Sequence, residues 1–213
     1  MIKLYYSPGA CSLAPHIVLE ELGIAYDSML VSLKDGEHKK ADYLKVNPRA
    51  RVPALNVDGK VLTECVAILT YLGGGFADRG LWPKDTWKQA EAISLMSWLS
   101  STVHVTFAGV IRPERYALDA AAQENIKQSC RAALERQFAE IDKLLTGKTF
   151  AMGGQYSVVD PYLLVFYRWG NRIGIPMKER FPVWTKHALR VHSRPTVKRV
   201  FEAEGITLEG LAS

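Results

Sequence analysis

The sequence predicts a small α/β domain with a mixed sheet, followed by an all-α domain. Three observations carry this expectation. Candidate elements over roughly the first 72 residues follow the order βαβ and then ββα, and Asp58-Gly59 joins two short strand-like runs as a hairpin. After Trp82-Pro83 the strand-like runs disappear and helical spacing takes over. The expected division is residues 1–76 for the first domain, 77–86 for a linker and 87–213 for the helical domain. A chain of 213 residues with 48% hydrophobic and 23% charged side chains is long enough to bury a core in each.

Ile2-Lys3-Leu4-Tyr5-Tyr6 reads as a strand, stopped by the turn residues Ser7-Pro8-Gly9. A helix follows, with Ser12 as its expected N-cap, Pro15 in the tolerant first turn and Gly23 as its C-cap. Residues 26–31 form a second strand, residues 34–40 a polar loop and residues 41–44 a helical turn. Asn47-Pro48 marks a turn before the strands 52–57 and 60–63. Thr63 is the expected cap of a helix over 64–72, ended by Gly73-Gly74-Gly75.

In the second part, Ile93, Met96, Leu99 and Val103 form one helical stripe. Ile126, Cys130, Leu134, Ile141 and Leu145 form another, which puts Cys130 in a core. Ser157 and Asp160 have the spacing of a capping box opening the apolar helix 162–169, and a structural role for Asp160 is expected rather than a catalytic one. Helices over 183–191 and 196–204 close the chain.

The residue with chemistry is Cys11, at the junction between the first strand and its helix. The partial positive charge of a helix amino terminus favours thiolate over thiol, so a reactive sulfur is one reading. A small buried cysteine filling a gap is the other. Cys11, Cys65 and Cys130 are too few and too widely spaced for a disulfide framework or a zinc site, so no metal is expected. No stretch approaches the roughly 20 apolar residues of a membrane span and no signal peptide is evident, which predicts a cytoplasmic protein without a membrane partner. The net charge of +5 arises after residue 80. Lys186, Arg190 and Arg194 recur there as a solvated helix face, with no aromatic-interleaved basic stripe for nucleic acid.

Four motifs in order then resemble one family. Residues 5–16, Asn47-Pro48 with Val52-Pro53-Ala54-Leu55, Thr63-Glu64-Cys65-Val66-Ala67-Ile68 with Tyr71-Leu72, and Ser157 to Asp160 together are similar to the cytosolic glutathione transferases, most of all the bacterial beta class. The resemblance covers nearly the whole chain. It implies a thioredoxin-like glutathione-binding domain, an all-α domain contributing a hydrophobic substrate pocket, and a cytoplasmic homodimer active in detoxification.

The resemblance also implies a cis peptide before Pro53, with the backbone of Val52 pairing with glutathione as an added strand. Glu64 and Cys65 would receive the γ-glutamyl carboxylate at a helix amino terminus, and His38 or Lys39 the glycyl carboxylate. His104 would approach the active-site cysteine and favour thiolate, while Phe107 and Trp169 would line the substrate pocket. Without the resemblance, His38 and Lys39 read as solvated loop residues, and His104 and Trp169 as packing residues.

The reaction so implied is conjugation of the glutathione thiolate to an electrophilic, largely apolar small molecule, with glutathione as co-substrate. One alternative is a glutathione-dependent disulfide reductase, restricted to a monothiol cycle because Cys11 has no C-x-x-C partner. Another is a ligand carrier or scaffold without catalysis on the same fold.

Overall fold

The computed structural model describes residues 1–209, so the end of the expected helical domain, 210–213, lies outside the described residues. Strands β1 (Ile2–Tyr6), β2 (Asp27–Leu30), β3 (Ala54–Val57) and β4 (Lys60–Thr63) form one sheet in the order β2-β1-β3-β4. β1 pairs in parallel with β2 and antiparallel with β3, placing Leu4 opposite both Ser28 and Leu55. The parallel pair needs a crossover, which α1 (Leu13–Leu22) supplies. Gly23 ends α1 with φ 62°. Asp58 and Gly59 both have positive φ, at 51° and 87°, as a two-residue hairpin with matching twist requires.

α2 (Ala41–Val46) and α3 (Cys65–Gly75) complete the first half. The second half is helical, with α4 (Thr86–Trp98), α5 (His104–Ile111), α6 (Ala120–Leu144), α7 (Val159–Arg172), α8 (Met177–Arg180), α9 (Pro182–His192) and α10 (Pro195–Glu204). The α/β plus all-α architecture is therefore as expected. α7 runs through the middle of the molecule, buried from Val159 to Gly170, and α1 packs against α3, α7 and α10. One hydrophobic cluster consequently includes Leu4, Ile17 and Leu69 together with Phe166 and Phe201.

Several local expectations are corrected. Ser12 does not cap α1: its backbone is already helical, and its hydroxyl accepts from the Ser7 N–H at 3.1 Å and donates to the Ser7 carbonyl at 3.2 Å. Thr63 belongs to β4, and the cap position of α3 is Glu64, without a side-chain bond. The three glycines do not stop α3, which runs through Gly75. Gly73 instead permits close packing, since a Cβ there would lie 2.9 Å from Trp82 and 3.0 Å from Val158.

Ile93 is exposed, while Met96, Leu99 and Val103 are buried. Residues Leu99–Val103 form a π-helical segment between α4 and α5, which re-phases the helix that follows. The continuous run Thr86–Ile111, 26 residues long, is long and apolar enough to cross a bilayer by length and composition, contrary to the sequence expectation. In the fold part of this run is packed, α4 against α7 and α5 against α6, with 39% of its apolar window buried. Cys130 is partly buried on α6 against α5, so close to Gly109 that a Cβ there would meet its sulfur at 2.4 Å.

Arg194 is not a solvated cation either. It makes a two-pronged ion pair with Glu21, at 2.6 and 2.7 Å, and its guanidinium lies 4.0 Å from the centre of the Tyr156 ring. This pair ties the start of α10 to α1.

The capping box carries more than a cap. Asp160 is fully buried and accepts from the Ser157 N–H at 2.7 Å and from the Ser157 hydroxyl at 3.0 Å. Its other oxygen accepts from the Ala151 N–H and meets His187 Nε2, both at 2.7 Å. Asp160 thus joins the start of α7, the loop before it and α9.

Candidate active site

The site is built from three backbone segments brought together by the sheet order. β1 and β3 are neighbours, so the turn after β1 lies beside the loop entering β3 and the amino end of α3. The turn 7–11 presents Cys11, partly buried. The loop into β3 contains a cis peptide between Val52 and Pro53, as the resemblance implied. It is fastened from behind, because Tyr43 Oη and Asn47 Nδ2 both donate to the Arg51 carbonyl at 2.7 Å. Cys11 Sγ lies 3.5 Å from the Val52 carbonyl, so the thiol and this loop face each other.

The third segment is the start of α3. Glu64 is exposed and has φ 71°, a conformation costing a residue with a Cβ on the order of 1–3 kcal/mol. Cys65, the first residue of α3, is buried, and its sulfur is 3.5 Å from the Cys11 carbonyl. The neighbouring Cys65 thiol is the main reason the Cys11 thiol lies below its ordinary range, with help from the N–H groups of residues 11 and 12 and against burial and the Glu64 charge. Cys65 is pushed well above its range by its proximity to Cys11, by burial and by the charge of Cys11. Cys11 therefore has a second cysteine beside it, 54 residues away in the chain, although no C-x-x-C motif supplies one.

The turn itself is held from the helical half. Gly9 donates its N–H to Glu204 Oε2 at 2.7 Å, and its carbonyl accepts from Trp169 Nε1 at 2.9 Å and Arg168 Nη1 at 3.4 Å. Glu204 is buried, and its other oxygen meets His16 Nδ1 at 2.7 Å. Gly9 has φ 63°, and a Cβ there would lie 2.3 Å from Arg168 Nη1, so both conformation and space require glycine. Glu204, Arg168 and His16 were not singled out from the sequence. A buried acid near the end of an amphipathic helix gives no local sign that it caps a turn 195 residues away.

Trp169 stacks on Phe107 with ring centres 4.5 Å apart. Both rings are almost wholly buried, so they back the site more than they wall an open pocket. His104 meets the Trp169 ring at 4.8 Å and the Phe166 ring at 6.1 Å. Burial, then the charges of Arg51 and Arg115, push its pKa down to about 4, so it is neutral at pH 7. His38 is partly buried and lies within electrostatic reach of Lys39, Arg112 and Arg115, and Lys39 is exposed. This side of the site is cationic. A concavity of about 740 Å³ lies elsewhere, against Trp87, Leu95, Trp98, Leu144 and Met152, and contains none of these groups.

Comparison with known proteins agrees with this geometry. Residues 1–74 match the glutathione S-transferase N-terminal domain and residues 100–195 the C-terminal domain. The chain is 32% identical over 214 residues to glutathione S-transferase GstA of Escherichia coli O157:H7, covering 96% of this chain and all of that one. It is 31% identical over 177 residues to glutathione S-transferase GST-4.5 of Xanthomonas campestris, covering 83% and 86%. Among solved structures, a glutathione transferase homologue from Sulfitobacter with bound glutathione superposes with a TM-score of 0.90 at 30% identity, over 95% of this chain and 98% of that one. A beta-class glutathione S-transferase from Sphingomonas chungbukensis does so with 0.84 at 37%, also over 95% and 98%.

Proposed function

The chain belongs to the glutathione S-transferase family and is an enzyme of that family, and from that premise we propose that it joins the glutathione thiolate to small electrophiles at the site around Cys11. The observation that carries the proposal is the convergence of a lowered thiol, the Val52-Pro53 loop and the amino terminus of α3. In this reading residues 1–76 hold glutathione and the helices of 87–213 complete the electrophile site. The backbone of Val52 and Pro53 pairs with the cysteinyl part of glutathione, in the manner of an added strand. The α3 amino terminus at Glu64 and Cys65 takes the γ-glutamyl carboxylate, where free N–H groups and the helix dipole favour an anion. His38 and Lys39 take the glycyl carboxylate, in a field strengthened by Arg112 and Arg115.

His104 is neutral at working pH, so its role here is that of an N–H donor to sulfur, not of a fixed positive charge. Such a donor stabilises a thiolate without bringing a second charge into a buried site. The electrophile is expected to be largely apolar and to sit over the Phe107 and Trp169 layer. Exposed apolar side chains on successive elements, Val61, Tyr71 and Ile93, support assembly as a homodimer, and the cytoplasm is the proposed location.

The test pairs glutathione calorimetry with a panel of aryl halides, epoxides and enones. Saturable binding with turnover of at least one class supports the enzyme reading. Tight binding with no turnover of any class favours a carrier and overturns it.

A further inference from the structure

We propose that Cys11 and Cys65 act as a dithiol pair that exchanges with the disulfide of glutathione, giving this chain a two-cysteine redox cycle beside conjugation. The inference rests on the glutathione site proposed above. Its own basis is the meeting of two free thiols from separate segments, the turn after β1 and the first residue of α3, with Cys65 Sγ 3.5 Å from the main chain of residue 11.

The two thiols are unequal in a useful way. Cys11 is the more accessible and the more acidic, and its sulfur faces the Val52 carbonyl where a glutathione sulfur would arrive. It is the attacking thiol. Its thiolate displaces one glutathione thiolate from glutathione disulfide, leaving a mixed disulfide on Cys11. Cys65 is buried and stays protonated while Cys11 is an anion, because the neighbouring sulfur and its charge both raise the Cys65 pKa.

Formation of the mixed disulfide removes both restraints at once. The charge on Cys11 is gone and its sulfur is a poorer acceptor, so the Cys65 pKa falls towards the ordinary range, at a helix amino terminus that favours the thiolate. What remains against ionisation is burial and the carboxylate of Glu64. The buried Tyr162 also lies within electrostatic reach of both sulfurs. The Cys65 thiolate then attacks the Cys11 sulfur. A bond forms between the two protein sulfurs, the bond to glutathione breaks, and the leaving glutathione thiolate is balanced by the proton that Cys65 gave up.

In sum, one glutathione disulfide is reduced to two glutathione thiols while two protein thiols become one disulfide. Two further glutathione thiols reverse the sequence. The balance needs no oxidant beyond the disulfide itself. The second cysteine thereby makes the glutathione adduct transient. It also makes the oxidised protein a distinct state, in which both thiols are held in one disulfide.

The experiment uses the full chain with Cys130→Ser, so that only the pair remains, alongside the same chain carrying Cys65→Ser or Cys65→Ala. Each is mixed with glutathione disulfide, quenched in acid at intervals, alkylated, and read by intact mass and peptide mapping, with glutathione affinity measured by calorimetry in parallel. The expected result is a glutathione adduct on Cys11 that gives way to a cross-linked Cys11–Cys65 peptide. In both Cys65 variants the adduct should persist about tenfold longer or more, since the neighbouring thiol acts at high effective concentration.

An adduct equally persistent with and without Cys65 overturns the inference and leaves the glutathione site standing. Hydroxyethyl disulfide separates the two ideas further. If it yields the Cys11–Cys65 cross-link while glutathione neither binds nor adds, the dithiol survives and the glutathione reading fails. If neither reagent yields the cross-link, the dithiol is refuted.

Discussion

Replacing Asp160 with alanine should destabilise the protein by about 3–5 kcal/mol, well beyond the 0.5–2 kcal/mol of an ordinary lost cap. The magnitude follows from the count of donors left behind. Asp160 accepts from two main-chain N–H groups, of Ser157 and Ala151, and meets His187 Nε2, all at 2.7 Å. The four residues involved, Ala151, Ser157, Asp160 and His187, are each no more than 4% exposed. Leaving a buried donor unsatisfied costs about 1–3 kcal/mol. Three such groups bring the lower bound to about 3 kcal/mol, and relaxation with water entry keeps the total from reaching the simple upper sum.

Ser157→Ala provides the internal comparison, because it removes only the hydroxyl and leaves Asp160 with its other three partners. It should cost about 1 kcal/mol. Urea denaturation of the two variants, with calorimetric melting, checks the difference. For a chain of this size the alanine at 160 should lower the melting temperature by roughly 10 °C. A loss at Asp160→Ala no larger than at Ser157→Ala would refute the hub argument and return Asp160 to simple capping.

Three further outcomes are expected. His104 is held in the fold at about 4 against an ordinary 6.5. The unfolded chain therefore binds more protons between those values, and stability should fall on acidification through that window by on the order of 3 kcal/mol. His104→Gln should remove that part of the acid slope in denaturation curves taken at several pH values. An unchanged slope would contradict it, and the activity profile from pH 7 to 8 should not steepen or flatten. The alkylation rate of Cys11 should titrate below the free-cysteine value of about 8.5, and Cys65→Ala should move the midpoint upward because the neighbouring Cys65 thiol leads the depression. Gly9→Ala should cost more than about 1 kcal/mol by denaturation and lower turnover in what stays folded, since its φ of 63° and the nearby Arg168 guanidinium leave no room for a methyl group.

Local chemistry was legible where it was self-contained. The Asp58-Gly59 turn, the Gly23 cap and the Ser157 and Asp160 spacing are written within a few residues, and each has its physical reason there. The glycines at 73–75 look the same in sequence as a helix stop, yet Gly73 answers to Trp82 and Val158, which arrive from elsewhere. The same holds for the site. Cys11 could be singled out from its helix, but its tie to Cys65 depends on β3 pairing beside β1. The π-helical segment at Leu99–Val103 is likewise something a stripe read at constant period cannot foresee.

The hold on Gly9 from Glu204, Trp169 and Arg168 has a bearing on when during synthesis the thiol becomes an instrument. The sheet that carries Cys11 leaves the ribosome early, and local pairing can shape it there. The carboxylate that fixes its turn is translated almost two hundred residues later. A nascent chain thus presents Cys11 on a turn that lacks its contact to Glu204 until α10 has been made. Chains interrupted before α10 would carry Cys11 on a turn without the carboxylate that holds Gly9.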